Sequence, residues 1–171
     1  MELKVKLEDF NDILQNIRSL GIKKSHMLYQ TDTYFLTGKK RLKLRDTNGE
    51  SCLIYYFRPD TEESKLSQYY FFKLTSGQIT VIKKILNVLF TVQVIISKKR
   101  VLYLYKHTRI HLDEVEKLGN FLELETVFDK NESHHDFYRE HNEVIDTLEL
   151  SRYKKIGESY QIPHTCDGLS T

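Results

Sequence analysis

Apolar and polar residues alternate along most of this chain, a period that is typical of β-strands. The first such segment, Glu2 to Leu7, predicts a strand with one solvent-facing side. The same pattern predicts further strands at residues 28–36, 40–46, 51–58, 66–74, 92–105, 107–113 and 121–128. Turn residues such as Asn48-Gly49 and Pro59-Asp60 separate neighbouring strands. Short turns between so many strands indicate an antiparallel sheet.

Three stretches depart from this alternation and place apolar residues at helical spacing. One apolar stripe follows Asp9 and ends at Gly21, which fits a helix C-cap. Two more helices are predicted at about residues 76–89 and 133–148. Many strands with few helices predict an α+β fold, in which a large antiparallel sheet is curled or closed and the helices pack outside it.

Composition excludes several classes of protein. The 171 residues are 40% hydrophobic and 29% charged, which suits one packed domain. No stretch approaches the roughly 20 apolar residues of a membrane span, and the N-terminus has no apolar signal core. Cys52 and Cys166 lack metal or redox spacing, although a disulfide between them stays open. We therefore expect a cytoplasmic protein without a membrane partner.

The net charge of +2 hides an uneven distribution of charge. Residues 1–109 carry 20 basic and 10 acidic side chains, whereas residues 110–171 carry 6 basic and 14 acidic ones. A basic first part and an acidic last part within one domain indicate a polyanion site with carboxylates beside it.

Charged residues occupy every second position of several predicted strands. Arg41, Lys43 and Arg45 share one face of their strand and leucines occupy the other. Lysines or arginines repeat this spacing at positions 4 and 6 and at positions 98 and 100. An exposed sheet face is the ordinary alternative for any single strand, but such a face normally mixes signs. Several single-sign faces favour a cationic channel for a chain of phosphates.

Carboxylates and histidines lie close to these cations in the sequence. Glu123 and Glu125 alternate with leucines, and such carboxylates beside phosphates predict a Mg²⁺ or Mn²⁺ site. His111 has three open interpretations: it contacts phosphate, orients Asp113 or fills the channel wall. The group of His134, His135 and His141 is interpreted as helix surface and edge, because no Cys or carboxylate completes a zinc-like set.

Several ordered segments together carry a resemblance to a known family. They are Glu2–Lys6, Gln30–Phe35, Arg41–Arg45, Leu53–Asp60, Lys65–Tyr69, Lys98–Arg100, Arg109–Glu125 and Ser159-Tyr160. They span nearly all of residues 1–160, and Arg109–Glu125 is the strongest match. The chain resembles the CYTH superfamily of triphosphate tunnel metalloenzymes, nearest to its class IV adenylyl cyclase and thiamine triphosphatase-like branch.

The resemblance implies a fold and two reactions. The fold is one domain over residues 1–160, a closed eight-stranded antiparallel barrel with helices outside it, followed by a flexible tail at residues 161–171. With Mg²⁺ or Mn²⁺, such proteins hydrolyse tripolyphosphate, thiamine triphosphate or a nucleotide, or they cyclise ATP to cyclic AMP and pyrophosphate. The implied partner is a small-molecule triphosphate, and the protein is a monomer or a homodimer.

The resemblance also implies roles for individual residues. The phosphate-binding positions are Lys4, Lys6, Arg41, Lys43, Arg45, Arg58, Lys73, Lys98, Arg100 and Arg109. The metal-binding positions are Glu2, Asp113, Glu123 and Glu125. The catalytic positions are Lys4, Glu2 and Asp113.

One departure from the family pattern leaves alternatives open. The family signature begins Glu-x-Glu-x-Lys, and here the best register matches Glu2 and Lys4, with one glutamate missing. Its absence motivates a non-catalytic binder of nucleotide or polyphosphate as an alternative. Between the two reactions we favour hydrolysis, because water is always available and no base pocket is identified. Nucleic acid is not expected as a partner, since an enclosed channel excludes a duplex.

Overall fold

The computed structural model describes residues 1–38, 40–48, 50–57, 68–127 and 134–156. Cys166 and the predicted tail at residues 161–171 lie outside these residues. The strands are β1 (Glu2–Leu7), β2 (Lys24–Phe35), β3 (Lys40–Thr47), β4 (Ser51–Phe57), β5 (Gln68–Leu74), β6 (Val92–Tyr105), β7 (Thr108–Val115) and β8 (Gly119–Thr126). The helices are α1 (Asn11–Ser19), α2 (Ser76–Leu89) and α3 (His134–Thr147), and a 3-10 turn follows at Leu150–Arg152.

All eight strands join one antiparallel sheet in the order β1-β8-β7-β6-β2-β3-β4-β5. The predicted α+β fold is confirmed, but closure of the barrel is wrong for the described residues, because no pairing joins the edge strands β1 and β5. Residues 154–156 lie along the outer edge of β1. The backbone N–H of Lys6 donates to the Lys154 carbonyl, and that of Ile156 donates to the Lys4 carbonyl. This edge is therefore already paired and does not accept another strand there.

The outer face of β1 and β6–β8 packs against α1 and α3. Val5, Ile110 and Leu122 are completely buried there against Ile13 of α1 and Val144 of α3. These strands alternate apolar and charged residues, so burying one face leaves the charged side chains on the other. No helix among the described residues is both long and apolar enough to cross a membrane.

Helix α2 covers the other half of the outer face. Its N-terminus is fixed by a capping box, in which Thr75 Oγ1 accepts from the Gln78 backbone and Gln78 Oε1 accepts from the Thr75 backbone. Leu86 on the helix is buried with Leu42 and Leu44 of β3. The two helical layers thus leave the inner face of the sheet for polar side chains.

An apolar floor lies on the inner face near one end of the strands. Its buried members are Tyr34 of β2, Ile96 of β6, Val115 of β7 and Phe121 of β8, which form one cluster. All four share the inward parity of their strands with charged residues nearer the other end. The floor lies between the polar part of the inner face and this end of β2 and β6–β8.

His141 corrects one interpretation made from the sequence. It was expected at the surface or edge of α3, but its side chain is completely buried. Its Nδ1 lies 2.7 Å from Thr126 Oγ1, which in turn lies 2.9 Å from Thr108 Oγ1. Thr108 Oγ1 donates to Glu140 Oε1 at 2.6 Å. This polar network anchors α3 to the ends of β7 and β8.

Candidate phosphate-binding site

A cavity of about 690 Å³ occupies the inner face of the curled sheet. All eight strands contribute alternate side chains to its wall, as expected for one face of a pleated sheet. Its charged members are Glu2, Lys4, His26, Asp32, Lys43, Arg45, Glu50, Lys98, Arg100, Arg109, His111, Glu123 and Glu125. We call this space the central cavity.

The first cationic group of the central cavity is organised by Asp32, whose side chain is only 1% exposed. Arg45 donates to its carboxylate through Nε at 2.8 Å and Nη2 at 2.9 Å, and Lys43 Nζ lies 3.3 Å away. Burial alone would raise the pKa of Asp32, but Lys43 and Arg45 outweigh it and hold the pKa well below its usual range. These three residues form the Asp32 clamp.

A second group on β6 and β7 has the same construction. Arg100 donates to Asp113 through Nε at 2.6 Å and Nη2 at 2.7 Å, and Lys98 Nζ lies 2.7 Å from the same carboxylate. Burial opposes ionisation of Asp113, but the charges of Arg100 and Lys98 hold its pKa below the usual range. Burial also lowers the pKa of Lys98 to about 8. We call these three residues the Asp113 clamp.

The two clamps repeat one geometric arrangement on two strand pairs, β2–β3 and β6–β7. In each, the aspartate is the direct cross-strand partner of the arginine, and the lysine stands two residues before that arginine. The aspartate occupies the Nε and Nη2 groups of the guanidinium, so the orientation of the guanidinium plane is fixed. The arginines are therefore oriented in advance, without a bound anion.

Lys4 adds a buried cation from β1. Its side chain lies opposite Glu123 in the β1–β8 register, and its Nζ is 5.0 Å from the centre of the Phe121 ring. Burial lowers the pKa of Lys4 to about 7, although the charge of Glu123 opposes the shift. Near neutral pH this amine therefore exists in both protonation states.

Carboxylates gather at the end of the central cavity away from the floor. Glu2 and Glu125 are direct partners across β1 and β8, and Arg109 Nη1 donates to Glu125 Oε2 at 3.2 Å. Glu123 accepts from Arg100 Nη2 at 2.9 Å. We call this end, with Glu2, Glu125 and Arg109, the acidic mouth.

A divalent metal can be tested against these donors. No group of three or more His, Cys, Asp or Glu among the described residues is arranged to hold a metal ion. Mg²⁺, however, is commonly bound by one or two carboxylates together with substrate phosphates and water. Glu2 and Glu125 fit that requirement. Asp113 does not, because both of its oxygens accept from Lys98 or Arg100.

Most of the residues predicted from the sequence lie in one place. The central cavity brings together Glu2, Lys4, Lys43, Arg45, Lys98, Arg100, Arg109, Glu123 and Glu125. Asp113 lies behind its cations and does not line the cavity wall.

The other predicted phosphate ligands do not line the described cavity wall. Lys6 is exposed, with its Nζ 5.9 Å from the centre of the Phe121 ring, and Arg41 lies nearer the floor end of β3. Lys73 is on the surface, where its Nζ lies 3.1 Å from Glu50. Arg58 lies outside the described residues.

Asp32 is a buried residue of the candidate site that was not predicted from the sequence. It belongs to a segment that resembles the family, yet no role followed from that resemblance. The sequence does contain a sign of its position in the site, because Asp32 shares strand parity with Gln30 and Tyr34 and is a lone carboxylate within a basic part of the chain. A single acid facing a row of cations is a candidate for a buried counter-charge.

Comparison with known proteins agrees with this geometry. The CYTH domain family matches residues 1–160. This chain belongs to the CYTH family. A Methanocaldococcus jannaschii protein provisionally named as an adenylate cyclase is 29% identical, with 94% of this CYTH chain and 95% of the relative covered.

Solved structures share the fold. A Pyrococcus horikoshii protein superposes with a TM-score of 0.80 at 25% identity and covers 94% of this CYTH chain and 96% of its own. A Vibrio parahaemolyticus structure described as a candidate adenylate cyclase gives a TM-score of 0.71 at 15% identity, with 94% of both chains covered. At that identity the second comparison supports the fold alone.

Proposed function

We propose that this CYTH protein binds a linear triphosphate in the central cavity and hydrolyses it with the help of Mg²⁺ or Mn²⁺. The observation that carries the proposal is the pair of buried clamps, each a lysine and an arginine held by an aspartate. The positive charges of these oriented arginines and of the nearby lysines are suited to phosphate oxygens. Asp32 and Asp113 have no phosphate-binding chemistry of their own, so in this proposal they position the cations.

Charge is divided along the central cavity in a way that suits a phosphate chain. Around the clamps, five cations face three carboxylates, namely Lys4, Lys43, Arg45, Lys98 and Arg100 against Asp32, Asp113 and Glu123. The buried amines of Lys4 and Lys98 have lowered pKa values, so their protonated forms carry a desolvation cost. A polyanion among them relieves that cost.

The acidic mouth supplies the residues for the metal. Glu2 and Glu125 would hold it beside the phosphates, where a divalent cation neutralises charge on the phosphate oxygens. In this proposal Glu125 positions a water molecule for attack on the terminal phosphorus at the acidic-mouth end of tripolyphosphate. Lys4, with a pKa of about 7, can accept a proton from that water near neutral pH.

Cyclisation of ATP is the second candidate, and one finding favours it. The M. jannaschii relative, similar over 94% of this chain, carries the name of an adenylate cyclase. In that reaction the ribose 3′-hydroxyl attacks the α-phosphorus and pyrophosphate leaves. The same clamps would bind the β- and γ-phosphates, so they serve either chemistry.

Product analysis distinguishes these functions. The protein is incubated with ATP, tripolyphosphate or thiamine triphosphate and either Mg²⁺ or Mn²⁺, and the products are separated by chromatography. Orthophosphate without a cyclic product supports hydrolysis, whereas cyclic AMP with pyrophosphate supports the cyclase. Binding of tripolyphosphate without any product contradicts both and leaves a polyphosphate binder.

Two lysine variants form a matched pair for this assay. Lys43→Ala removes a cation from the Asp32 clamp and is expected to reduce turnover about 10²–10³-fold, the usual effect of losing one transition-state donor. Lys99→Ala removes an exposed lysine paired with Glu114, neither of which lines the central cavity, and is expected to leave turnover unchanged. Equal losses in both variants would contradict the assignment of the clamp.

A further inference from the structure

Gln30 of β2 adds an uncharged donor to the Asp32 clamp. Its side chain lines the central cavity and is buried, with only 4% of the residue exposed. Gln30 Nε2 donates to Asp32 Oδ2 at 3.1 Å, and because an ionised carboxylate only accepts, the amide nitrogen is the atom that faces it. Gln30 stands two residues before Asp32 on the same face of β2, and Lys98 is its direct partner on β6. The amide therefore lies between the two clamps.

Three donors compete for one oxygen of Asp32. Its Oδ1 accepts from Arg45 Nε at 2.8 Å. Its Oδ2 accepts from Arg45 Nη2 at 2.9 Å and from Gln30 Nε2 at 3.1 Å, and it lies 3.3 Å from Lys43 Nζ. A carboxylate oxygen has two lone pairs, so the guanidinium and the amide are enough to fill Oδ2. The lysine makes the longest of these contacts and is the donor that Oδ2 can lose.

The Asp113 clamp provides a comparison within the same molecule. The residue two positions before Asp113 is His111, whose ring nitrogens have no hydrogen-bond partner among the described residues and therefore donate nothing to this carboxylate. Here Lys98 Nζ lies 2.7 Å from Asp113 Oδ2, compared with 3.3 Å for the corresponding lysine contact of the first clamp. The lysine is thus held closely where the preceding residue gives no hydrogen bond, and less closely where Gln30 gives one.

We propose that Gln30 is a positioning residue, which keeps Asp32 hydrogen-bonded while Lys43 moves from it to a phosphate oxygen. Arg45 and Gln30 together occupy both lone pairs of Oδ2, so the departure of the lysine leaves no acceptor site empty there. Without the amide, the buried carboxylate depends on Lys43 for a further hydrogen bond, and an unsatisfied buried acceptor is costly. Phosphate must then compete with Asp32 for the lysine. The inference rests on the proposed function, because it assigns Lys43 to the phosphate chain.

Calorimetric titration with tripolyphosphate, in EDTA to prevent turnover, tests this role through a double-mutant cycle. Gln30→Met keeps the length of the side chain but removes its donor, and is expected to weaken tripolyphosphate binding about 10-fold. Lys43→Ala weakens binding by itself. If Gln30 acts through this lysine, adding Gln30→Met to Lys43→Ala should change the affinity by less than about twofold. A residue with only a packing role would cost the same factor in both backgrounds.

Gln93→Met is the matched control, because Gln93 is an exposed glutamine of β6 that does not line the central cavity, and it should leave the affinity unchanged. Circular dichroism checks the fold of every variant, and Gln30→Leu removes the same donor if Gln30→Met does not fold. If tripolyphosphate fails to bind wild type, the proposed function fails. If it binds, but loss of the Gln30 donor leaves the affinity unchanged or costs the same factor with and without Lys43, the positioning role is refuted and the proposed function stands.

Discussion

Replacing Asp32 with asparagine removes the counter-charge of its clamp while keeping the shape of the side chain. In wild type this carboxylate accepts two hydrogen bonds from Arg45 and lies 3.3 Å from Lys43 Nζ. Leaving partners of a buried ion pair uncompensated costs about 3–5 kcal/mol. For a chain of this length, that corresponds to a melting temperature lower by roughly 6–20 °C.

Tripolyphosphate should reverse part of this loss, which gives the experiment its specificity. In Asp32→Asn the anion supplies the negative charge that the clamp lacks, so it should raise the melting temperature of the variant more than that of wild type. Differential scanning calorimetry with and without tripolyphosphate measures both shifts. Asp46→Asn changes an exposed carboxylate on β3 that bonds Ser51, and it should melt within about 2 °C of wild type.

Two results would refute this reasoning. If Asp32→Asn melts at the wild-type temperature, the carboxylate does not stabilise buried cations. If the variant is destabilised but tripolyphosphate raises both melting temperatures equally, Asp32 has a packing role and the anion does not share its clamp.

Further predictions concern pH and the second clamp. The pKa of Asp32 is lower in the native protein than in the unfolded chain, so the ionised carboxylate stabilises the fold above about pH 4 and this stabilisation is lost as the pH falls toward the native pKa. The urea midpoints of wild type and Asp32→Asn should therefore converge in acid. Burial lowers the pKa of His141 to about 4. Between about pH 4 and 6.5 the unfolded chain therefore binds a proton at His141 that the native protein does not bind, so the free energy of unfolding should rise with pH in this range. His141→Gln should flatten that rise in urea titrations. Arg100→Lys cannot hold Asp113 in a bidentate pair and should weaken tripolyphosphate binding about 10-fold or more by calorimetry, whereas the surface change Arg152→Lys should not.

Strand parity was predictable because side chains alternate with a period of two. The alternation around Arg41, Lys43 and Arg45 correctly predicts which side chains leave the apolar face of β3. It does not predict position along the strand. Lys43 and Arg45 line the central cavity, whereas Arg41, with the same parity, does not line it.

The burial and ion pairing of individual side chains were harder to predict from the sequence, because they depend on residues elsewhere in the chain. Asp113 was expected as a metal ligand, but its carboxylate lies behind Lys98 and Arg100 and is occupied by them. That burial follows from the register between β6 and β7, which alternation alone does not specify. The open edge of the sheet was likewise not predictable, because residues 154–156, which pair with β1, have no periodic signal.

The apolar floor of Tyr34, Ile96, Val115 and Phe121 affects how a phosphate chain could enter the central cavity. A passage open at both ends would let a long polymer thread through and be shortened processively. Under the proposed function, the floor limits how far a phosphate chain can enter at this end of β2 and β6–β8, so a chain held by the clamps would extend its excess length toward the acidic mouth.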